Sequence, residues 1–164
     1  MTRLVLICAV AVLATACSSK PKEQEAAQII QVDPSTLLPA VDVVPKSALG
    51  AQELLSKECG LFLWSKTDPT QFIFFEKAQA GTARMQIADS AVDVTQTANR
   101  GDIFGQFLTE QGFAAPGGER IEVVIVPGEE LQGGQRVESG RITITGTDNW
   151  QTIIPVRGVQ ACQP

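Results

Sequence analysis

The chain has 164 residues, enough for one domain with extensions and too few for two of ordinary size. It is 44% hydrophobic and 19% charged, so it can fold around a core. A net charge of −5 with no basic run argues against nucleic acid as a partner, and the lack of histidine removes imidazole acid–base chemistry and His-ligated metals.

The first element is a leader. Arg3 supplies a positive start, Leu4 to Ala14 is unbroken apolar chain, and Thr15 and Ala16 precede Cys17. The apolar run is shorter than the ~20 residues that cross a bilayer, and its three-part build is that of a secretory signal. At Leu13-Ala14-Thr15-Ala16-Cys17 the segment resembles the lipobox of bacterial lipoproteins. The resemblance covers the leader and the first mature residue, with Ala14 standing three before the cysteine where Leu is usual. It implies that residues 1–16 are removed, that Cys17 carries lipid, and that the mature protein hangs from a membrane. Ser18 and Ser19 follow, with no Asp in second position. By the sorting rule of enterobacterial lipoproteins this implies the outer membrane, facing the periplasm. The other reading is an ordinary signal peptide cut near Ala16, which leaves Cys17 a free thiol.

Residues 17–46 read as the lipidated cysteine and a tether, because Pro21, Pro34, Pro39 and Pro45 interrupt any regular element. Ile29, Ile30, Leu37, Leu38, Val41, Val43 and Val44 are more apolar than a spacer needs. They either pack on the chain's own domain or dock a partner. Residues 47–164 then form a single β-rich domain. Ser47 to Lys57 is expected as a short helix with Ser47 as N-cap and Leu54 and Leu55 inward.

From Cys59 the pattern takes a period of two. Residues 59–65 and 71–76 are aromatic-rich strands joined by the turn Lys66-Thr67-Asp68-Pro69-Thr70, apolar on both faces and so covered on both. Residues 83–88 place Met85 and Ile87 inward against Arg84 and Gln86, and residues 91–98 place Val92 and Val94 inward. A helix is predicted over 102–111, with Asp102 as N-cap, Ile103, Phe104, Phe107 and Leu108 on one face, and Gly112 as its stop before Phe113. Gly105 inside it costs about 1 kcal/mol against Ala. Strands follow at 120–126, 135–145 and 150–158. The inward parity switches between Val137 and Ile142, which places a β-bulge at Ser139-Gly140. The reading is mainly β: a small antiparallel sandwich or barrel of about six to seven strands with one short helix.

Four cysteines divide by position. Cys8 leaves with the leader and Cys17 is the lipid site, so an oxidising compartment leaves Cys59 and Cys162 to form a disulfide. A loop of ~100 residues makes such a bridge worth up to about 4.7 kcal/mol in the chain-entropy model.

The chemistry search yields little. There is no GxSxG, HExxH, phosphate loop or EF-hand spacing. The pairs Asp89/Asp93 and Glu129/Glu130 lie in polar turn contexts, and Glu122 and Glu138 alternate outward, where water keeps carboxylates ionised. Lys57, Lys66 and Lys77 sit at element ends and read as exposed. Arg100-Gly101-Asp102 matches an adhesion tripeptide by chance, with Asp102 committed to the helix cap. Phe62, Trp64, Phe72, Phe74, Phe75 and Trp150 read as core before they read as a ligand cleft. No catalytic residue, metal or cofactor is expected. The functional expectation is a non-catalytic binding or scaffold module of the envelope, engaging a protein or polysaccharide. The alternative is a small disulfide-closed inhibitor, similar in plan to β-barrel lysozyme inhibitors. A protruding loop with Ser or Lys would favour that alternative, and Glu129–Gln135 is the one long candidate loop.

Overall fold

The computed structural model describes residues 42–164. The leader, Cys17 and the tether up to Val41 lie outside them. Eight strands follow in order: β1 Cys59–Ser65, β2 Phe72–Lys77, β3 Thr82–Ile87, β4 Ser90–Phe104, β5 Phe107–Ala114, β6 Arg120–Leu131, β7 Gly134–Thr145 and β8 Gln151–Cys162. Each pairs antiparallel with the next, and β8 returns to pair with β1. The sheet is a closed barrel. Closure leaves no end strand open to pairing by another chain.

The two-residue period dictates what lies inside. Leu61, Leu63, Met85, Val94, Ile142 and Ile144 are fully buried, while Arg84, Asp93, Glu122 and Arg141 stand exposed on the outer wall. An eight-stranded barrel has an interior just wide enough for side chains, and here they fill it. A charged wall around an apolar interior is the reverse of a membrane-spanning barrel. No helix of the described residues is long and apolar enough to cross a membrane.

Of the sandwich and the barrel expected, the barrel is found, and two expectations need correction. The barrel has eight strands rather than six or seven, and there is no helix among the described residues. Residues 102–111 form the β4–β5 hairpin. Phe104 pairs with Phe107 and Ile103 with Leu108 across a two-residue turn, so the same apolar spacing arises from a hairpin. Phe104 and Phe107 turn inward, whereas Ile103 is 81% exposed. Gly105 has φ 60°, as the first central residue of such a turn requires, and Gly112 lies within β5. Gly105 is a turn residue, not a tolerated helix defect.

Ser47–Lys57 is likewise not helical. Ser47 caps nothing; its Oγ accepts a 2.8 Å hydrogen bond from Gln86 Nε2, and Leu55 is exposed. This segment straps the barrel. Lys46 N donates to Ala88 O, Ala88 N to Val43 O and Leu49 N to Phe72 O, at 3.0, 3.4 and 2.6 Å. Val43 thereby enters the core from the lower end, where the turns after β1, β3, β5 and β7 lie. Glu129–Gln135 is not a loop either. β6 runs to Leu131 and β7 starts at Gly134, with Gly133 turning at φ 86°. The bulge at Ser139-Gly140 is present as a register shift between Val137 and Gly140.

Candidate functional site

Two arrangements carry more chemistry than a filled barrel needs. The first is inside the barrel's upper half. Strand alternation puts Glu76 on the same face as Phe74, so β2 carries a carboxylate into the lumen. Gln96 of β4 and Gln111 of β5 meet it there. Gln96 Nε2 donates to Gln111 Oε1 at 2.8 Å and to Glu76 Oε1 at 3.3 Å. Glu76 and Gln111 are each 3% exposed, and Glu76 Oε2 and Gln111 Nε2 have no partner among the described residues. Burial pushes the Glu76 carboxyl up to about 7, against a weaker opposite pull from the Gln111 amide. The cluster can hold or release one proton near neutrality. Its members are one carboxyl and two amides, with no hydroxyl, thiol or amine.

The second arrangement is on the outer wall of β1, β8 and β7. Phe62, Trp64 and Phe72 form a packed aromatic group, with ring centroids 6.4 Å apart for Phe62–Trp64 and 5.0 Å for Trp64–Phe72. A register shift at Leu63/Trp64 creates it, since Ile73 becomes an extra residue and Phe72 is turned outward beside Trp64. Arg157 is the cross-strand partner of Trp64, and Arg136 that of Val159. Trp64, Arg136, Arg157 and Val159, with Lys66 and Glu138, line a groove of about 550 Å³. Lys66, Arg136 and Arg157 are exposed, and none forms an ion pair with a described residue. Lys46, Lys77, Arg84 and Arg100 each have an acidic partner, while Lys57, Arg120 and Arg141, away from the groove, also form no ion pair with a described residue.

The residues singled out in the sequence fall in separate places. Cys59 and Cys162 are joined by a disulfide. Cys17 is outside the described residues. Asp89 lies 3.9 Å from Lys46, and Asp93 lies 3.9 Å from Arg84 on the outer wall. Glu129 and Glu130 are exposed near the β6–β7 turn, and so is Lys57 on the strap. Lys77 is bonded to Glu58 at 2.9 Å and holds that carboxyl below its usual range. Arg100, Gly101 and Asp102 sit in an irregular part of β4. There Arg100 lies 4.0 Å from Glu110, and Asp102 N donates to Thr109 Oγ1. Of the six aromatics, Phe74 is in the lumen against Phe113, Phe75 is buried, and Trp150 is exposed at the lower end. Trp64 lines the groove, with Phe62 and Phe72 packed against it. Among the described residues no three His, Cys, Asp or Glu side chains are grouped to hold a metal.

Sequence reasoning missed Glu76. Carboxylates are expected mainly in turns and on outward positions, and Glu76 is simply the last residue of the strand expected over 71–76. The signal was the alternation itself, since a residue two after an inward Phe74 is also inward.

No protein-family model matches the chain, and comparison with curated proteins and with solved structures finds no similar protein.

Proposed function

We infer that this chain is a lipid-anchored envelope module that binds an acidic polysaccharide through the β1–β8–β7 groove, without turning it over. One observation carries the reading: on a chain of charge −5, three cations, Lys66, Arg136 and Arg157, line one groove with Trp64, and none forms an ion pair with a described residue. Exposed cations that are not spent on internal ion pairs are free for an external anion. Guanidinium groups meet carboxylates with two parallel hydrogen bonds, and an indole face takes the apolar face of a sugar ring. Phe62 and Phe72 hold the indole in place, so little side-chain entropy is lost on binding. The lipidated Cys17 would hold the module at the periplasmic face of the outer membrane.

The inhibitor alternative asks for a protruding Ser or Lys. The β6–β7 turn presents Gln132 and Gly133 instead.

The test uses the mature, oxidised protein titrated with an oligogalacturonate and, separately, with a poly-glutamate peptide. Binding of the uronate that is weakened by salt, and lost in both Trp64→Ala and Arg136→Ala/Arg157→Ala, is the expected result. Binding of poly-glutamate that ignores Trp64 would replace the glycan with an acidic protein segment. No uronate binding would overturn the reading. The anchor is tested separately, since Cys17→Ser should leave an unprocessed precursor.

A further inference from the structure

The upper part of the β4–β5 hairpin is an arm. Beyond Thr95, β4 no longer pairs with β3, and before Glu110, β5 does not pair with β6. Residues 97–109 are therefore joined to the wall at their root. Two register shifts, at Gln96/Ala98 and Arg100/Ile103, bend the arm there. Phe104 and Phe107 are buried by the bend, at 1% and 4% exposure. A Cβ on Gly105 would press on the Gln160 side chain. Gln160 belongs to β8, which lies across the barrel from β4 and β5 in the closed strand order. The arm thus spans the barrel's upper mouth.

The buried polar cluster lies at its root. Gln96 immediately precedes the first shift, and its 2.8 Å bond to Gln111 ties the two strands of the hairpin together. Glu76 hangs on the same amide from β2. The register partners of Glu76 are Leu61 on β1 and Ala83 on β3, so no charge faces it from its neighbours. The charged side chains of the surrounding strands are engaged on the outer wall: Lys77 with Glu58, Arg84 with Asp93, and Arg100 with Glu110 and Glu122. On the arm itself Asp102 is exposed.

We propose that Glu76, Gln96 and Gln111 form a buried proton-binding site that latches the β4–β5 arm, so that loss of the Glu76 proton to solvent swings the arm from the mouth. As a neutral acid, Glu76 fits in the lumen beside Gln96 and Gln111 without a counter-charge. As a carboxylate, it is buried with only the Gln96 and Gln111 amides against its charge and Oε2 without a hydrogen bond, so water satisfies it better. The arm is the closure that yields first, because neither of its strands is paired on its other side. The burial-raised carboxyl of Glu76, at about 7, places the change near neutrality. Opening uncovers Phe104 and Phe107 and widens a cleft of about 470 Å³ between Gly105–Gln106 and the β6–β7 tip.

The experiment is amide hydrogen exchange on the oxidised protein at about pH 5 and about pH 8, corrected for the intrinsic rate, with wild type beside Glu76→Gln. Wild-type amides of residues 98–109 should open tenfold or more at the higher pH, as linkage to one raised carboxyl requires. Amides of β6 and β7 should hold, and Glu76→Gln should stay closed at both pH values. A carbon-13 carboxyl titration of wild-type Glu76 adds an independent readout: its midpoint should lie above the ordinary range and coincide with shifts of the Phe104 and Phe107 rings. A midpoint in the ordinary range, equal protection in both proteins, or loss of protection throughout the barrel would each overturn the proposal.

Discussion

Cys59 and Cys162 are register partners in the β1–β8 pairing, so the disulfide clasps the barrel at the seam where its first and last strands meet. Their separation of 103 residues is nearly the whole folded region. Without the bond, β8 must find β1 by closing the longest loop in the molecule. Replacing both cysteines by Ala should lower stability by about 2–4 kcal/mol in urea unfolding. Equal midpoints for oxidised protein and the double variant would show that the β1–β8 hydrogen bonds alone set closure.

Gly158 lies at the same seam. A Cβ there would run into the Phe62 carbonyl of β1, a backbone atom that cannot step aside. Gly158→Ala should therefore force the strands apart and cost about 2 kcal/mol or more, the scale of overpacking a tight site. Gly50 on the strap has nothing near its Cβ position, so Gly50→Ala should be close to neutral. Matching stabilities for the two variants would refute the close approach.

Glu76 should make the barrel less stable as the pH rises. Its folded-state value, about 7, lies above the 4.5 of an unfolded glutamate, so the folded state holds the proton more tightly. This contribution is complete below about pH 4.5 and is lost progressively up to about pH 7, at most about 3 kcal/mol. Arm opening would cap the loss. Asp42, Glu58 and Asp68 are held low by Lys46, Lys77 and Thr70, and their contributions fall away in acid instead. Subtracting Glu76→Gln from wild type at each pH cancels them. A difference that does not change between about pH 5 and about pH 8 would contradict the burial of Glu76.

Most strand positions were legible because one buried and one exposed face stamp a period of two on the sequence, as with Met85 and Arg84. The bulge was legible for the same reason, since Val137 and Ile142 can both face inward only if a residue is absorbed between them. The β4–β5 hairpin was not legible. A tight turn reflects the sequence about Gly105 and so brings 103, 104, 107 and 108 into pairs at the spacing of a helix face. The groove was hidden because it is assembled from three strands distant in sequence, with Trp64, Arg136 and Arg157 joined only by register. Glu76 was hidden by its charge: a carboxylate at a strand end is solvated unless the next layer covers it.

Val43 and Val44 are neighbours with opposite fates, and their contrast tests where the folded unit begins. A tether was expected through residue 46, yet Val43 is in the core while Val44 is half exposed. The reason is the hydrogen bond from Ala88 N to Val43 O, which turns residue 43 toward the lower mouth and leaves 44 facing water. Val43→Ala removes two methyl groups from a packed site and should cost about 1–2 kcal/mol. Val44→Ala should stay within about 0.5 kcal/mol of wild type. A chain shortened to begin at Ser47 loses Val43 and the Lys46–Ala88 bond together, and it should fall at least as far as Val43→Ala. Urea unfolding of the three variants reads this directly. Equal effects at 43 and 44, or an unshifted midpoint in the shortened chain, would mean that the strap lies on the barrel without closing it.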